Sequence, residues 1–275
     1  MSNIHPILRE TLFKSLIKHR ELIWALVKRD FIGRYKGSFF GVLWSLFNPI
    51  LMLIIYTLVF AVVFKARWGI GNEDESKVAF GIVLFSGLIV HGLLAECLNG
   101  APTLIISHVN FVKKVVFPLH VLPWVSLISA SLQFLIGLGI LIIFCIISGV
   151  TIHIGTLLIP IVLLPLMLFI LGTTWFLASL GVYLRDLAQG MGIITTALLF
   201  ISPVFYRTDT LPAAFQTLLA FNPLTLPITQ LRDVMLWGTG INWEAWTLNM
   251  AISIAVGYAG FWWFQKSRHG FADVL

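Results

Sequence analysis

The sequence predicts an all-α integral membrane protein with six membrane-spanning helices, and three observations carry that reading. Of its 275 residues 59% are hydrophobic and 11% charged, where soluble domains carry about 25% charged residues. Six apolar stretches stand out: Ser38–Phe64, Val78–Leu98, Val121–Ser148, Leu157–Leu184, Met191–Tyr206 and Trp246–Phe264. Five reach the roughly 20 residues that cross a 30 Å hydrocarbon core; Met191–Tyr206 is shorter. The stretches are continuously apolar, whereas transmembrane strands alternate apolar and polar residues over about ten positions.

Taken in order, residues 1–37 form a basic amphipathic N-terminus. Between Leu12 and Phe31, Phe13, Leu16, Ile17, Trp24, Val27 and Phe31 recur near helical spacing, and Lys14, Lys18, Glu21 and Lys28 occupy other faces. Such a helix lies in the membrane interface with its basic residues toward headgroups, as an anchoring collar or as a gate or partner contact. The first span holds Asn48-Pro49, where proline removes a backbone hydrogen bond and bends the helix. A packing kink and a moving hinge are both open readings. Glu96 sits near the inner end of the second span, and an intramembrane carboxylate is a functional candidate by default. Next comes Asn110-Phe-Val-Lys-Lys-Val-Val-Phe-Pro-Leu-His-Val-Leu-Pro123, a basic, proline-closed amphipathic run between two long apolar segments. Its composition suits contact with a partner or a headgroup surface.

Arg185 and Asp186 close the fourth span at its inner end, placed to pair locally or to contact the run at 110–123. Arg207 to Glu244 is too long for a tight connection and too apolar for a free loop. It reads as two short helices, Leu211–Phe221 and Leu226–Trp237, parted by Asn222-Pro223. Neither is long enough to span, so both are expected to be re-entrant or to lie in the outer interface. The layout is one transmembrane domain over 1–275: an N-terminus at 1–37, five spans within 38–206, outer helices at 207–245, and the last span with its tail at 246–275.

With the N-terminus inside, thirteen Lys and Arg fall on inner segments and five on outer ones, as the positive-inside rule requires. Six spans then return the C-terminus to the cytoplasm. The net charge of +6 is explained by topology and anionic lipid, and no nucleic-acid partner is needed. No signal-peptide pattern is visible at the N-terminus. Cys97 and Cys145 lie within spans and read as apolar packing. There is no G-x-x-x-x-G-K-[ST] loop for nucleotide phosphates, no zinc-protease His/Glu spacing and no Gly-x-Ser-x-Gly. The seven histidines are scattered, so no metal site is expected and any energy source belongs to another chain.

Several motifs in this order resemble the type-2 ABC transporter permeases that export surface polysaccharides (O-antigen, capsule, teichoic acid). They are Gly41-Val-Leu-Trp44 with Pro49, Tyr56, Val59 and Phe60; Leu94-Ala-Glu96; and Asn110 through Lys113-Lys114, Phe117-Pro118 and Leu122-Pro123. Further along are Tyr183-Leu-Arg185-Asp186, Ser202-Pro203-Val-Phe-Tyr206, and Asn222-Pro223-Leu224 followed by Arg232. The resemblance covers nearly the whole chain, and the tail Gly270-Phe-Ala-Asp-Val-Leu275 inclines it toward the O-antigen branch.

The resemblance implies a homodimer with two copies of an ABC ATPase in a bacterial inner membrane. ATP and Mg would be bound by the ATPase and no cofactor by this chain. The family's coupling helix falls on His108–Phe117, with His108, Asn110, Phe111, Lys113, Lys114, Phe117 and Pro118 facing the ATPase. Lys113 and Lys114 would make charge-assisted contacts there or, in the other reading, reach to lipid headgroups. Glu96, Arg185 and Asp186 would supply cytoplasmic charge contacts. The family's channel runs between protomers along the first and fifth spans, which here offer Trp44, Phe47, Tyr56, Phe200, Phe205 and Tyr206. Aromatic faces suit a polyprenyl-linked glycan, because C–H faces of a sugar slide over them without one fixed hydrogen-bond pattern. The same rings are also common at membrane interfaces. Rival functions are capsule or teichoic acid export, and small-molecule efflux, which the short connection at Lys65–Lys77 disfavours. An integral-membrane glycosyl- or acyltransferase is the rival from another class; its acidic cluster would have to be Glu73-Asp74-Glu75, which reads better as a solvated loop.

Overall fold

A computed structural model describes residues 16–59, 75–113, 117–208 and 211–275, and every described element is helix, turn or connecting loop. The helices are α1 (Arg20–Gly33), α2 (Trp44–Tyr56), α3 (Glu75–Gly100), α4 (Val109–Lys113), α5 (Leu122–Ile147) and α6 (Ile159–Tyr183). They continue with α7 (Leu187–Ile201), α8 (Ala213–Ala220), α9 (Thr225–Arg232), α10 (Trp243–Ser267) and α11 (Phe271–Val274).

Four helical runs are long and apolar enough to cross a membrane: Gly41–Val59, Val78–Thr103, Leu119–Ile147 and Ile154–Tyr183. These lie where the first four spans were expected. Leu187–Ile201 is apolar but shorter. α10 has 25 residues, with Glu244 in its first turn and Lys266 in its last. At 1.5 Å per residue it is about 37 Å long.

α3 is the centre of the bundle. It packs against α5, α6, α7, α9 and α2, and 72% of its apolar window is buried, against 11% for the first span. α6 and α10 lie directly backbone to backbone. A Cβ on Gly260 would meet the Gly172 carbonyl oxygen at 2.0 Å, and one on Gly172 would meet the Val256 carbonyl at 2.5 Å. Small residues that let backbones touch are the usual device for holding membrane helices together, since lipid offers no hydrophobic drive between them.

Prolines inside α2 and α6 each leave a carbonyl four residues back without its helical donor. Pro49 does this to Ser45, and Gln133 Nε2 of α5 donates to that oxygen at 3.1 Å. Pro165 does it to Ile161, and the Trp246 indole of α10 donates there at 2.9 Å.

The helices alternate between two ends. One end gathers α1, the loop from Ala101 to α4, the start of α5, the end of α6 and the tail α11. The other gathers the start of α3, the turn at His153–Gly155, the end of α7, and α8 and α9. α8 falls within the expected Leu211–Phe221, and α9 begins one residue before the expected Leu226, the two parted at Asn222-Pro223. α9 runs into a π turn at Asp233–Trp237 that closes on Gly238 at φ 69°.

Candidate functional site

At the α1 end, the amphipathic run opens as a short helix rather than one continuous element. His108 closes a 3-10 turn, α4 follows, and Pro118 at ψ 80° leads into a second 3-10 turn before α5. Proline has no N–H to continue a helix, and Phe117 just before it comes back against Phe111. Phe111 stacks with two rings, His108 at 5.4 Å and 25° and Phe117 at 4.4 Å and 18°. His108 Nδ1 lies 2.9 Å from the Leu104 carbonyl. A carbonyl only accepts, so Nδ1 carries the proton and Nε2 is left to accept from Arg29 Nη2 at 3.3 Å. The same guanidinium stands 5.7 Å above the Phe111 ring, a cation–π placement. α1 is therefore fastened to this run by one arginine. Asn110 is exposed. Lys114 lies outside the described residues, as does the side chain of Lys113.

One turn further along α1, Arg34 pairs with Asp30 at 2.8 Å and with Glu96 of α3. Burial alone would lower the Arg34 pKa, but the Glu96 and Asp30 carboxylates outweigh it and raise it above its ordinary value. Glu96 is thus the partner of a fixed cation and ties α1 to α3. Arg29, Asp30, Arg34, Glu96 and His108 border a cavity of about 480 Å³ under α1. Arg185 and Asp186 are exposed at the turn after α6 and form no ion pair with each other among the described residues. The tail supports this end from the opposite flank. Tyr183 Oη donates to the Ser267 carbonyl at 3.0 Å, Phe271 is fully buried, and α11 contacts α4.

The candidate channel rings fall into two groups. Trp44 and Phe47, 6.0 Å apart, join Phe40, whose ring stacks on Phe47 at 5.5 Å. Tyr56 meets Phe205 at 6.4 Å, and Phe205 stacks on Phe200 at 5.5 Å. Tyr206 Oη donates to the Phe200 and Ile201 carbonyls and so closes the end of α7. Only Ser45 and Leu53 of α2 are buried. The first span thus presents Trp44, Phe47, Ile50, Met52 and Ile54 outward. An apolar helix so bare faces lipid or another chain.

Sequence reasoning named Arg232 in a motif but gave it no role. It reads there as one of five basic residues on the outer side, yet it is 2% exposed at the α7–α9 end of the bundle. Its hydrogen bonds run mainly to backbone carbonyls, which no residue pattern announces. Among the described residues most exposed cations gather at the α1 end, including Lys18, Arg20, Lys28, Arg29, Lys36 and Lys266, while Arg207 is exposed at the other.

Comparison with known proteins agrees with this architecture. The O-antigen export system permease protein RfbA of Klebsiella pneumoniae is 26% identical over 256 residues, covering 93% of this chain and 95% of that protein. The protein of the same name from Myxococcus xanthus is 28% identical over 266 residues, covering 96% and 99%. The family model described as ABC-2 type transporter matches residues 21–236, from the first turn of α1 to the π turn after α9. The chain belongs to the ABC-2 type transporter family.

Proposed function

We propose that this chain is the channel-forming membrane subunit of an ATP-driven exporter that moves a lipid-linked polysaccharide, O-antigen, across the bacterial inner membrane. The observation that carries the proposal is end-to-end similarity, over 93–99% of both chains, to permeases named for O-antigen export. The bare, aromatic first span supports it, because a channel between two copies needs a wall left uncovered in one. In this reading two copies of the chain pair with two ATPase subunits, which alone bind ATP and Mg. The chain crosses six times, with α7 and α10 as the fifth and sixth spans, α8 and α9 re-entrant on the outer side, and both termini cytoplasmic. The exposed cations at the α1 end favour that orientation.

The chemistry follows from the two ends. ATP-driven closure of the partners pushes on α4 and its neighbours His108, Asn110, Phe111, Lys113, Lys114, Phe117 and Pro118. Arg29 and Arg34 pass that displacement to α1 and α3. Separation of the protomers then opens a path along Trp44, Phe47 and Tyr56 on the first span and Phe200, Phe205 and Tyr206 beside it. Glu96 acts as the anchor of Arg34, and Arg185 and Asp186 stand exposed for contact with the partner.

Deleting the gene and analysing both surface polysaccharide and intracellular lipid-linked glycan tests the proposal. Loss of surface glycan with accumulation of finished polymer inside is the expected result, and the composition of that polymer separates O-antigen from capsule or teichoic acid. Loss without accumulation would replace export by synthesis. A normal surface would leave efflux of a small molecule instead. Charge reversal of Lys113 and Lys114 together is expected to stop export without preventing membrane insertion, and normal export in that variant sinks the assigned contact.

A further inference from the structure

We infer that Arg232 is the positioning residue of the aromatic mouth formed by Tyr56, Phe200, Phe205 and Tyr206. The inference rests on the reading of those rings as the cargo path.

The argument begins with the break after α7. Ser202 precedes Pro203 and takes an extended conformation, φ −80° and ψ 154°, as residues before proline do. The chain leaves the helix there. The Pro203 and Val204 carbonyls consequently have no place in a helical ladder, although Ser202, Pro203 and Val204 are all buried. A carbonyl buried without a donor is costly, the more so where no water reaches it. Arg232 meets both: Nη1 donates to the Pro203 oxygen at 2.7 Å and Nη2 to the Val204 oxygen at 3.1 Å.

The same guanidinium grips α3. Nη2 and Nε donate to the Val83 oxygen at 3.0 and 3.2 Å, and Nε also reaches Ser86 Oγ at 3.2 Å. α3 makes room one residue on, since a Cβ on Gly87 would lie 2.8 Å from Nη2 and 3.3 Å from the Val204 Cα. A planar fork of five N–H groups can serve a helix and a loop at once, and a lysine ammonium cannot.

The start of the arginine's own helix is tied to the same break. Asn222 Nδ2 donates to Ser202 Oγ at 2.9 Å, and Asn222 Oδ1 accepts from the Leu224 amide at 2.9 Å. α9 is thus held at both ends to residues 202–204, with α3 as the fixed wall behind it. The rings follow at once: Phe205 is the next residue, stacked on Phe200 and facing Tyr56, and Tyr206 caps α7. Where Phe205 and Tyr206 stand is set by where Arg232 puts 203 and 204.

The test uses the full chain with its ATPase in native membranes, in a background without Cys97 and Cys145. Maleimide labelling is followed at Phe205→Cys and, as a control at the same end, at Trp243→Cys. Arg232→Met is expected to raise labelling at 205 by about tenfold or more, since each hydrogen bond lost from a charged donor is individually that large. Labelling at 243 stays constant, export falls by a similar factor, and Arg232→Lys lies between. Gly87→Ala is expected to move the same readings in the same direction, less far, while keeping the arginine should Arg232→Met fail to insert. Unchanged labelling at 205 in both variants overturns the positioning role. A parallel rise at 205 and 243 overturns it too, by reducing Arg232 to a general stabiliser. A rise at 205 alone with normal export keeps the positioning and overturns the mouth as cargo path.

Discussion

Gln133 Nε2 donates to the Ser45 carbonyl at 3.1 Å, which is the oxygen that Pro49 deprives of its helical donor. Gln133 in turn accepts from Tyr35 Oη at 3.2 Å, so the residue that stabilises the bend in the first span also holds the segment that enters it. Trp246 and Ile161 repeat the arrangement around Pro165. At both kinks a neighbouring helix thereby satisfies the freed carbonyl, the condition under which proline is tolerated in lipid.

That relationship predicts a specific reversal. Gln133→Leu leaves the Ser45 oxygen orphaned and is expected to cost about 1–3 kcal/mol, read as a fall in the melting temperature of the purified protein. Pro49→Ala supplies a backbone N–H to the same oxygen. Adding it to Gln133→Leu is expected to recover most of the loss, and a double variant no better than the single one contradicts the assignment.

The α6–α10 contact predicts a sharp contrast among glycines. Gly260→Ala places a Cβ 2.0 Å from the Gly172 oxygen, so the two helices must part. Overpacking costs about 1–3 kcal/mol or more, and the expected outcome is a large drop in monodisperse protein on size exclusion. Gly190→Ala, which meets nothing within 4 Å, is expected to be neutral or slightly stabilising. Equal yields for the two would mean that α6 and α10 are not packed on these glycines.

Apolar length alone made the first four spans legible, because a run such as Leu122–Ile147 has one stable answer in a bilayer. The ends were less so: α7 begins four residues before Met191 and stops at Ile201 because Ser202 is forced extended by Pro203. The clustering of His108, Phe111 and Phe117 was half legible, since their spacing marked one element but not the stacking of Phe117 on Phe111. Arg29 was counted among the basic residues without a partner, because its contact with His108 spans 79 positions. The role of Arg232 was not legible for the same reason, its hydrogen bonds running to the carbonyls of Val83, Pro203 and Val204 and to Ser86 Oγ, far along the chain.

The Arg29 contact gives a local prediction. Arg29→Ala removes both the hydrogen bond to His108 and the cation–π contact with Phe111, each a modest interaction. Amide hydrogen exchange across Val109–Lys113 is expected to quicken by about three- to tenfold, and the α5 and α6 amides are expected to keep their rates. His108→Ala also removes the Leu104 hydrogen bond and the stack on Phe111, so it has an effect of its own, and the double variant is expected to fall short of the sum of the two single ones. Additive acceleration in the double variant would falsify the shared latch.

The last prediction concerns the space behind the first span. A cavity of about 330 Å³ lies between α2 and the helices α3, α5 and α7, bordered by Asn48, Pro49, Met52, Gly92 and Gln133. A Cβ on Gly92 would meet nothing within 4 Å. Gly92→Ala therefore gains helix propensity without a clash, about 0.5–1 kcal/mol, and is expected to raise the melting temperature while leaving export near normal. Gly92→Phe fills the cavity on the side where Pro49 bends. If the bend is a hinge, a filled cavity holds α2 outward, so export falls while membrane level and melting temperature stay at or above those of the parent. If the bend is a static packing kink, Gly92→Phe leaves export unchanged, and the pair of variants thus decides which of the two Pro49 is.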